Sequence, residues 1–161
     1  MKKSSKGFSL IELLIVVAII LIIAAIAIPN LLRSRIAANQ ASAVGSLRTL
    51  NTAEITYSST YNVGFTYNLA YLAPPPAATT NPSSTAAGLI DSVLASGTKS
   101  GYSFTYTPGA SDSTGRINTY TFTAVPITSS TGTNYYFTDQ SGVIRQNSTT
   151  TASATDSPIA G

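Results

Sequence analysis

Residues 8–28 read FSLIELLIVVAIILIIAAIAI, and this stretch decides the fold. Every residue from Leu13 to Ile28 is apolar. As a helix, 21 residues reach about 31 Å, enough to span a hydrocarbon core of roughly 30 Å. Basic residues before the stretch predict a cytoplasmic N-terminus, with the rest of the chain facing outward. These leader residues are Lys2, Lys3 and Lys6.

One carboxylate, Glu12, lies within the first turns of the apolar stretch. A charge costs on the order of 2.5–3.5 kcal/mol at mid-membrane and less near the edge, so it usually has a partner. If the chain is cut between Gly7 and Phe8, Phe8 gains a positively charged amine one helical turn from Glu12. The helix dipole also favours a negative charge there. The alternative is a glutamate that the membrane interface merely tolerates.

A secretory signal peptide is the other interpretation of this N-terminus. It would be cut at an A-x-A site, for which Ala25-Ile26-Ala27 is the candidate. The apolar run is longer than the roughly 7–15 residues usual in signal peptides. Glu12 lies inside the run, and the helical pattern continues beyond the candidate site. These features favour a cut before Phe8.

The charge of the chain is concentrated in the leader. The formal net charge of the chain is +3, and the three lysines that account for it all precede Gly7. From Gly7 onward, basic and acidic residues are equal in number, so the formal net charge is zero. Nucleic-acid binding needs clustered basic residues, so no nucleic-acid site is evident. At 161 residues the chain is expected to form one domain with an appended membrane segment.

The chain contains no Cys and no His. Disulfides, thiol nucleophiles, imidazole bases and Cys/His metal sites are therefore excluded. Its six carboxylates are spread over six regions, without a pair at catalytic spacing. This composition argues against an enzyme, and no catalytic residue, metal or cofactor is predicted.

The segment Lys6-Gly7-Phe8-Ser9-Leu10-Ile11-Glu12, with the apolar run after it, resembles the type III signal of type IV pilins and type II secretion pseudopilins. The resemblance implies that a prepilin peptidase cuts after Gly7 and N-methylates Phe8. It also implies that Glu12 offsets the terminal amine of a neighbouring subunit during assembly. Pro29 fits the proline that many members carry after the run, and the seven-residue leader resembles that of type IVa pilins.

The resemblance is close over residues 1–60 and looser beyond them. The segment from Tyr135 to Arg145 is similar to the terminal hairpin of some pilin and pseudopilin heads. Many pilins close this region with a disulfide, which is impossible here, so strand pairing or packing must hold it. Calcium, which a related loop binds in some major pseudopilins, could gather Asp112, Asp139 and Asp156. The alternative is that these are ordinary turn aspartates.

Residue patterns predict the rest of the fold. Pro29 is expected to interrupt the helix with a kink or a loosened turn. Beyond it, apolar residues recur near helical period and predict an amphipathic half packed on a head. They are Leu31, Leu32, Ile36, Ala43, Val44, Leu47, Leu50 and Ile55. In the head, Tyr102–Thr107 and Tyr120–Val125 alternate with period two, which predicts antiparallel strands.

The predicted fold is α+β: a long N-terminal helix, membrane-spanning in its first half and amphipathic in its second, packed on a small antiparallel sheet. Between helix and sheet, a short helix over Leu89–Leu94 is expected to end at Gly97. The predicted segments are a cleaved leader (1–7), a transmembrane and filament-core helix (8–29), an amphipathic helix (30–60) and a head (61–161). The head divides into a loop (61–100), a sheet (101–146) and a flexible tail (147–161).

The leading functional hypothesis is a pilin subunit that polymerises into a helical type IV pilus filament for motility, adhesion or DNA uptake. Its expected partners are further copies of itself, a prepilin peptidase, the inner membrane and the pilus assembly machinery. The precursor is expected in the inner membrane and the product in a cell-surface filament. The alternatives are a pseudopilin of a type II secretion system and a monomeric membrane-anchored adhesin.

Overall fold

A computed structural model describes residues 7–76 and 81–159. The leader lysines, residues 77–80 of the Thr-rich loop and the last two residues of the tail lie outside this description. The chain forms two compact units, one ending at Arg35 and one beginning at Ile36. The elements are, in chain order, α1 (Leu10–Tyr61), a 3-10 helix (Leu69–Leu72), α2 (Ser92–Ala95), β1 (Thr98–Lys99), β2 (Tyr102–Pro108), β3 (Tyr120–Pro126), β4 (Tyr135–Asp139) and β5 (Arg145–Asn147).

Within the first unit, α1 exposes its apolar side chains on all faces. Its most apolar 18-residue window has a mean hydropathy of 3.3, and none of that window is buried. Phe8 and Leu10 are 78% and 74% exposed. A helix that is apolar all round belongs in a membrane or between packed helices. Among the described residues, α1 alone is long and apolar enough to cross a membrane.

α1 continues through Pro29. Proline has no N–H, so the carbonyl of Ala25, four residues earlier, loses its usual donor. The next side chain bonds to the helix at this point: Asn30 Nδ2 donates to the carbonyl of Ile26 at 3.1 Å. The sequence predicted an interruption at Pro29, but the helix does not end until Tyr61.

In the second unit, five antiparallel strands form one sheet in the order β1-β2-β3-β4-β5. Each strand pairs with the one before it in the chain, so the sheet is a simple meander. Tyr106 lies opposite Phe122, which in turn lies opposite Thr138. Along β3, buried residues alternate with half-buried ones, as the period-two pattern predicted. The α+β prediction is confirmed.

The C-terminal half of α1 covers one face of this sheet and forms the core with it. The helix contributes the fully buried Leu47 and Leu50, and β3 contributes the fully buried Phe122. Most of the apolar residues that were predicted to pack on the head are buried or half-buried in this unit, but Ile55 is 55% exposed. The neighbouring Glu54, four residues after Leu50 on the same helix face, is buried in its place.

Part of the segment between α1 and the sheet packs on the core. Leu72 of the 3-10 helix is fully buried, and its carbonyl accepts hydrogen bonds from the backbones of Leu89 and Ile90. The predicted short helix forms over Ser92–Ala95, slightly later than expected, because Asp91 caps it by accepting from Leu94 N at 2.8 Å. Gly97 follows in the left-handed region, at φ 80°.

The C-terminal segment folds back along β5. Gln146 N donates to Ser157 O at 3.0 Å, and Ile159 N donates to Ile144 O at 3.0 Å. The sequence predicted a flexible tail over 147–161, but Ser157, Pro158 and Ile159 pair with the free edge of the sheet. This pairing confirms that contacts other than a disulfide hold the C-terminal region.

Candidate functional site

The bond between Gly7 and Phe8 lies just before the helix. Residues 7–9 have no regular structure, and α1 begins at Leu10. Both Gly7 and Phe8 are exposed. A Cβ at position 7 would meet no atom of the described residues within 4 Å, and φ there does not require glycine. The fold itself therefore does not need glycine at this position, so a requirement for glycine would come from an enzyme that handles the segment.

Glu12 caps the start of α1. Its Oε2 accepts a hydrogen bond from Ser9 N at 2.8 Å, and Ser9 Oγ accepts from Ile11 N at 3.4 Å. The arrangement is similar to a capping box, in which a Ser at the cap and a Glu three residues later satisfy free N–H groups at a helix start, except that Ser9 Oγ accepts from Ile11 N and not from Glu12 N. The carboxylate thus has a structural partner within its own chain.

This capping role was missed in the sequence, although the signal was present. Ser9-Leu10-Ile11-Glu12 has the S-x-x-E spacing of a capping box. Among the residues that the structure describes, no donor reaches Oε1 of Glu12. One carboxylate oxygen, Oε2, therefore holds the helix start.

The second unit holds a buried carboxylate, Glu54, that the sequence analysis did not single out. It is fully buried in the helix face that meets the sheet. Thr66 donates to it twice, from Oγ1 to Oε1 at 2.6 Å and from N to Oε2 at 3.0 Å. Tyr106 closes the group by donating its hydroxyl to Thr66 O at 2.6 Å. This cluster ties α1, the loop after it and β2 together.

Burial raises the pKa of Glu54 above its ordinary value, and the bonds from Thr66 oppose that rise. In the part of the chain that is described, no cation pairs with this carboxylate. The position could have been found from the helical spacing, because Glu54 continues the line from Leu47 and Leu50 at intervals of three and four residues. A polar residue in an apolar stripe marks a buried polar group.

A second buried polar contact links α1 to the centre of the sheet. Tyr120 donates its hydroxyl to Asn51 Oδ1 at 3.1 Å, and Asn51 Nδ2 donates to Thr138 Oγ1 at 2.9 Å. Every buried side-chain N or O atom in the described residues has a hydrogen-bond partner. The helix is therefore fixed on the sheet in one register by specific bonds as well as by apolar packing.

The three aspartates considered for calcium each hold a turn of their own. Asp112 Oδ1 accepts from the backbones of Thr114 and Arg116, and Asp139 Oδ1 accepts from Ser141 N. Asp156 accepts from Ser153 and Asn147, and these bonds lower its pKa. No three His, Cys, Asp or Glu residues meet within residues 7–76 and 81–159.

A family model matches this chain at its N-terminus, and two curated proteins are similar to part of it. The family model described as the prokaryotic N-terminal methylation motif matches residues 2–28. The type IV major pilin protein PilA of Myxococcus xanthus is 49% identical over 55 residues, which are 34% of this chain and 25% of that protein. The type IV wide pilus major component PilA4 of Thermus thermophilus is 65% identical over 37 residues, which are 23% of this chain and 28% of that protein.

The chain thus spans about a quarter of the length of these curated relatives. No solved structure matches it. The matched part includes the residues on which the resemblance was recognised, Gly7, Phe8 and Glu12. Over this N-terminal segment the chain is similar to type IV pilins, as its sequence predicted.

Proposed function

We propose that this chain is a pilin subunit, cleaved after Gly7, N-methylated at Phe8 and polymerised into a type IV pilus filament. The observation that carries the proposal is the N-terminal methylation motif over residues 2–28. An exposed Gly7–Phe8 bond outside the helix suits a peptidase, which must bind extended backbone. In this proposal the chain is the substrate of that reaction and has no catalytic role.

Assembly follows from the exposed apolar part of α1. Before assembly, the membrane covers these side chains, with Lys2, Lys3 and Lys6 at the cytoplasmic end. In the filament, the same faces pack against α1 of neighbouring subunits, which keeps them out of water. Because the named relatives are major pilus components, a long filament is favoured over the short assembly of a secretion pseudopilin.

Cleavage gives Phe8 a free amine, and Glu12 is its proposed partner in a neighbouring subunit. The carboxylate oxygen that does not cap α1 would accept from that amine. Pairing opposite charges offsets their cost in an apolar surrounding, and a buried charge left unpaired costs roughly 3–5 kcal/mol. Each new subunit is thereby held in register with its neighbour.

Processing is tested by intact-mass analysis of the protein purified from its membrane and from sheared filaments. The wild-type mass is expected to begin at N-methylated Phe8. Gly7→Trp is expected to leave the precursor uncut, because a bulky side chain blocks the extended binding of the segment. A mature mass beginning at Ile28 would instead show cleavage by a signal peptidase after Ala27.

Assembly is tested with Glu12→Ala and the matched variant Glu12→Gln. Glutamine keeps an oxygen for the hydrogen bond from Ser9 N but removes the charge, whereas alanine removes both. If charge pairing drives assembly, both variants are cut normally and both lose filament yield by at least about tenfold. Normal filament yield in Glu12→Gln would show that the helix cap, and not the charge, is what assembly needs.

A further inference from the structure

The second unit has an open cavity of about 620 Å³ at the C-terminal end of α1. Small-molecule sites usually have volumes of roughly 300–1,000 Å³. Three tyrosines form much of its wall, together with one arginine and small polar residues. The lining residues on which the inference depends are Tyr57, Tyr67, Tyr71, Asn62, Ser84 and Arg116.

The tyrosine rings are fixed in place by bonds from their hydroxyl groups. Tyr57 donates to Ser84 O at 2.7 Å, and Tyr67 donates to Gly115 O at 2.6 Å. The rings of Tyr67 and Tyr71 lie edge to face, with centroids 6.4 Å apart. Tyr57 is buried and forms the base of the wall, whereas Tyr67 is 50% exposed. Because its hydroxyl already donates to Gly115 O, Tyr67 offers mainly its apolar ring surface to a ligand.

Arg116 is the cation of the cavity, and its guanidinium lacks a carboxylate partner within the described ranges. Both of its terminal nitrogens lie 3.4 Å from Asn62 Oδ1, a long contact with a neutral group. The acidic residue nearest in sequence, Asp112, bonds to the backbone N of Arg116 and to the side chains of Thr114 and Asn118. A guanidinium fork whose only charged-group position is unfilled within the described ranges suits one carboxylate, which it binds through two parallel hydrogen bonds in place of the long contact with Asn62.

We propose that this cavity binds an acidic monosaccharide unit, a sugar ring that carries one carboxylate. The carboxylate pairs with Arg116, the apolar face of the ring stacks on Tyr67, and the hydroxyl groups bond to Asn62 and Ser84. A nucleotide fits less well, because its phosphates would need more positive charge than one arginine supplies. The inference goes beyond polymerisation and does not depend on it.

Equilibrium dialysis of the full chain, in a detergent without a sugar headgroup, tests the proposal. The probes are methyl glucuronide, its neutral match methyl glucoside, and uridine monophosphate. The glucuronide is expected to bind at least about tenfold more tightly than the glucoside, since a charge-assisted hydrogen-bonded pair distinguishes them. Equal binding of the two sugars, no binding of either, or tighter binding of the nucleotide would overturn the proposal.

Variants then locate the site. Arg116→Gln is expected to reduce glucuronide affinity about tenfold, to the level of the glucoside. Tyr67→Ala is expected to weaken both sugars, and Tyr67→Phe to preserve binding because the ring remains. Arg48→Gln removes an exposed arginine outside the cavity and is the matched control. Loss of binding in Arg48→Gln equal to that in Arg116→Gln would show nonspecific attraction and overturn the assignment.

Should Arg116→Gln fail to fold, by circular dichroism, Arg116→Lys provides the second variant. Lysine keeps the charge but cannot form the two parallel bonds of the guanidinium. An intermediate affinity for the glucuronide is therefore expected. Unchanged affinity in a folded Arg116→Lys would contradict the bidentate geometry and, with it, the proposed role of Arg116.

Discussion

Replacing Glu54 by alanine is expected to destabilise the second unit by roughly 2–4 kcal/mol. The substitution removes two hydrogen bonds and leaves Thr66 N buried without its acceptor. It also leaves a cavity in a fully buried part of the helix face. Because small domains are stable by only about 5–15 kcal/mol, this loss is a large part of the total. Urea unfolding of the full chain, followed by tyrosine fluorescence, measures it.

The same residue makes stability depend on pH, with a definite sign. Since burial raises the pKa of Glu54 above its ordinary value of 4.5, the folded protein holds this proton more tightly than the unfolded chain. Its contribution is fully present below pH 4.5 and is lost as pH rises through the folded-state pKa. The groups around it are Tyr57, Tyr106 and Tyr120, whose pKa values are also raised, so they stay neutral throughout.

Glu54→Gln separates the charge from the packing. Glutamine can accept from Thr66 N and donate to Thr66 Oγ1, so it mimics the protonated acid. We expect this variant to be at least as stable as the wild type at pH 8 and to lose the decline in unfolding free energy between pH 5 and pH 8. A wild type whose stability rises across this range, or a glutamine variant with an unchanged decline, would contradict the assignment.

Asp91→Asn is the matched control for the pH dependence. Asp91 is an exposed carboxylate whose pKa is lowered by its bond to Lys99, at 2.8 Å. Its contribution is therefore present above its ordinary pKa and is lost only as pH falls through the lowered value. That window lies below pH 5, so Asp91→Asn is expected to leave the slope between pH 5 and pH 8 unchanged.

Much of the fold could be predicted because its patterns are local. An apolar run of spanning length, and alternating aromatics such as Tyr120 and Phe122, can be recognised without knowing what they contact. The N-terminal methylation motif was recognisable for a similar reason: its Gly, Phe and Glu have a fixed spacing over a few residues. These features need no tertiary information.

The errors lie where tertiary contacts decide the structure. Residues 147–159 have no periodic pattern, and Ser157 and Ile159 find their backbone partners at the free edge of β5. Ile55 and Glu54 are neighbours, and hydrophobicity alone favoured burial of the isoleucine. Glu54 is buried instead, because Thr66, in a loop twelve residues away, supplies two hydrogen-bond donors to its carboxylate. Such partners cannot be recognised from one segment alone.

Phe122→Ala is expected to have the largest effect among changes in the sheet, about 3–5 kcal/mol. Phe122 is fully buried on β3, the middle strand. Its ring centroid lies 4.8 Å from that of Tyr106 and 5.5 Å from that of Tyr120. Those two tyrosines carry the hydroxyls that bond to Thr66 and Asn51, so loss of the ring between them also loosens both polar contacts between helix and sheet.

Two further variants check this explanation by urea unfolding. Phe122→Leu retains most of the buried volume and is expected to cost less than half as much as Phe122→Ala. Thr123→Ala changes the next residue on the same strand, which is half-buried on the opposite face, and is expected to change stability by less than about 0.5 kcal/mol. Equal losses in Phe122→Ala and Thr123→Ala would mean that strand propensity, and not the core, accounts for the effect.

Phe122→Ala also separates folding of the head from processing of the N-terminus. Residues 7–12 belong to the first unit, and Phe122 to the second. Under the proposed function, the mature mass of Phe122→Ala is therefore expected to begin at N-methylated Phe8, as is expected for the wild type. Filament yield is expected to fall, because the head no longer folds stably. Accumulation of uncut precursor in this variant would contradict that separation, because it would show that the peptidase requires a folded head.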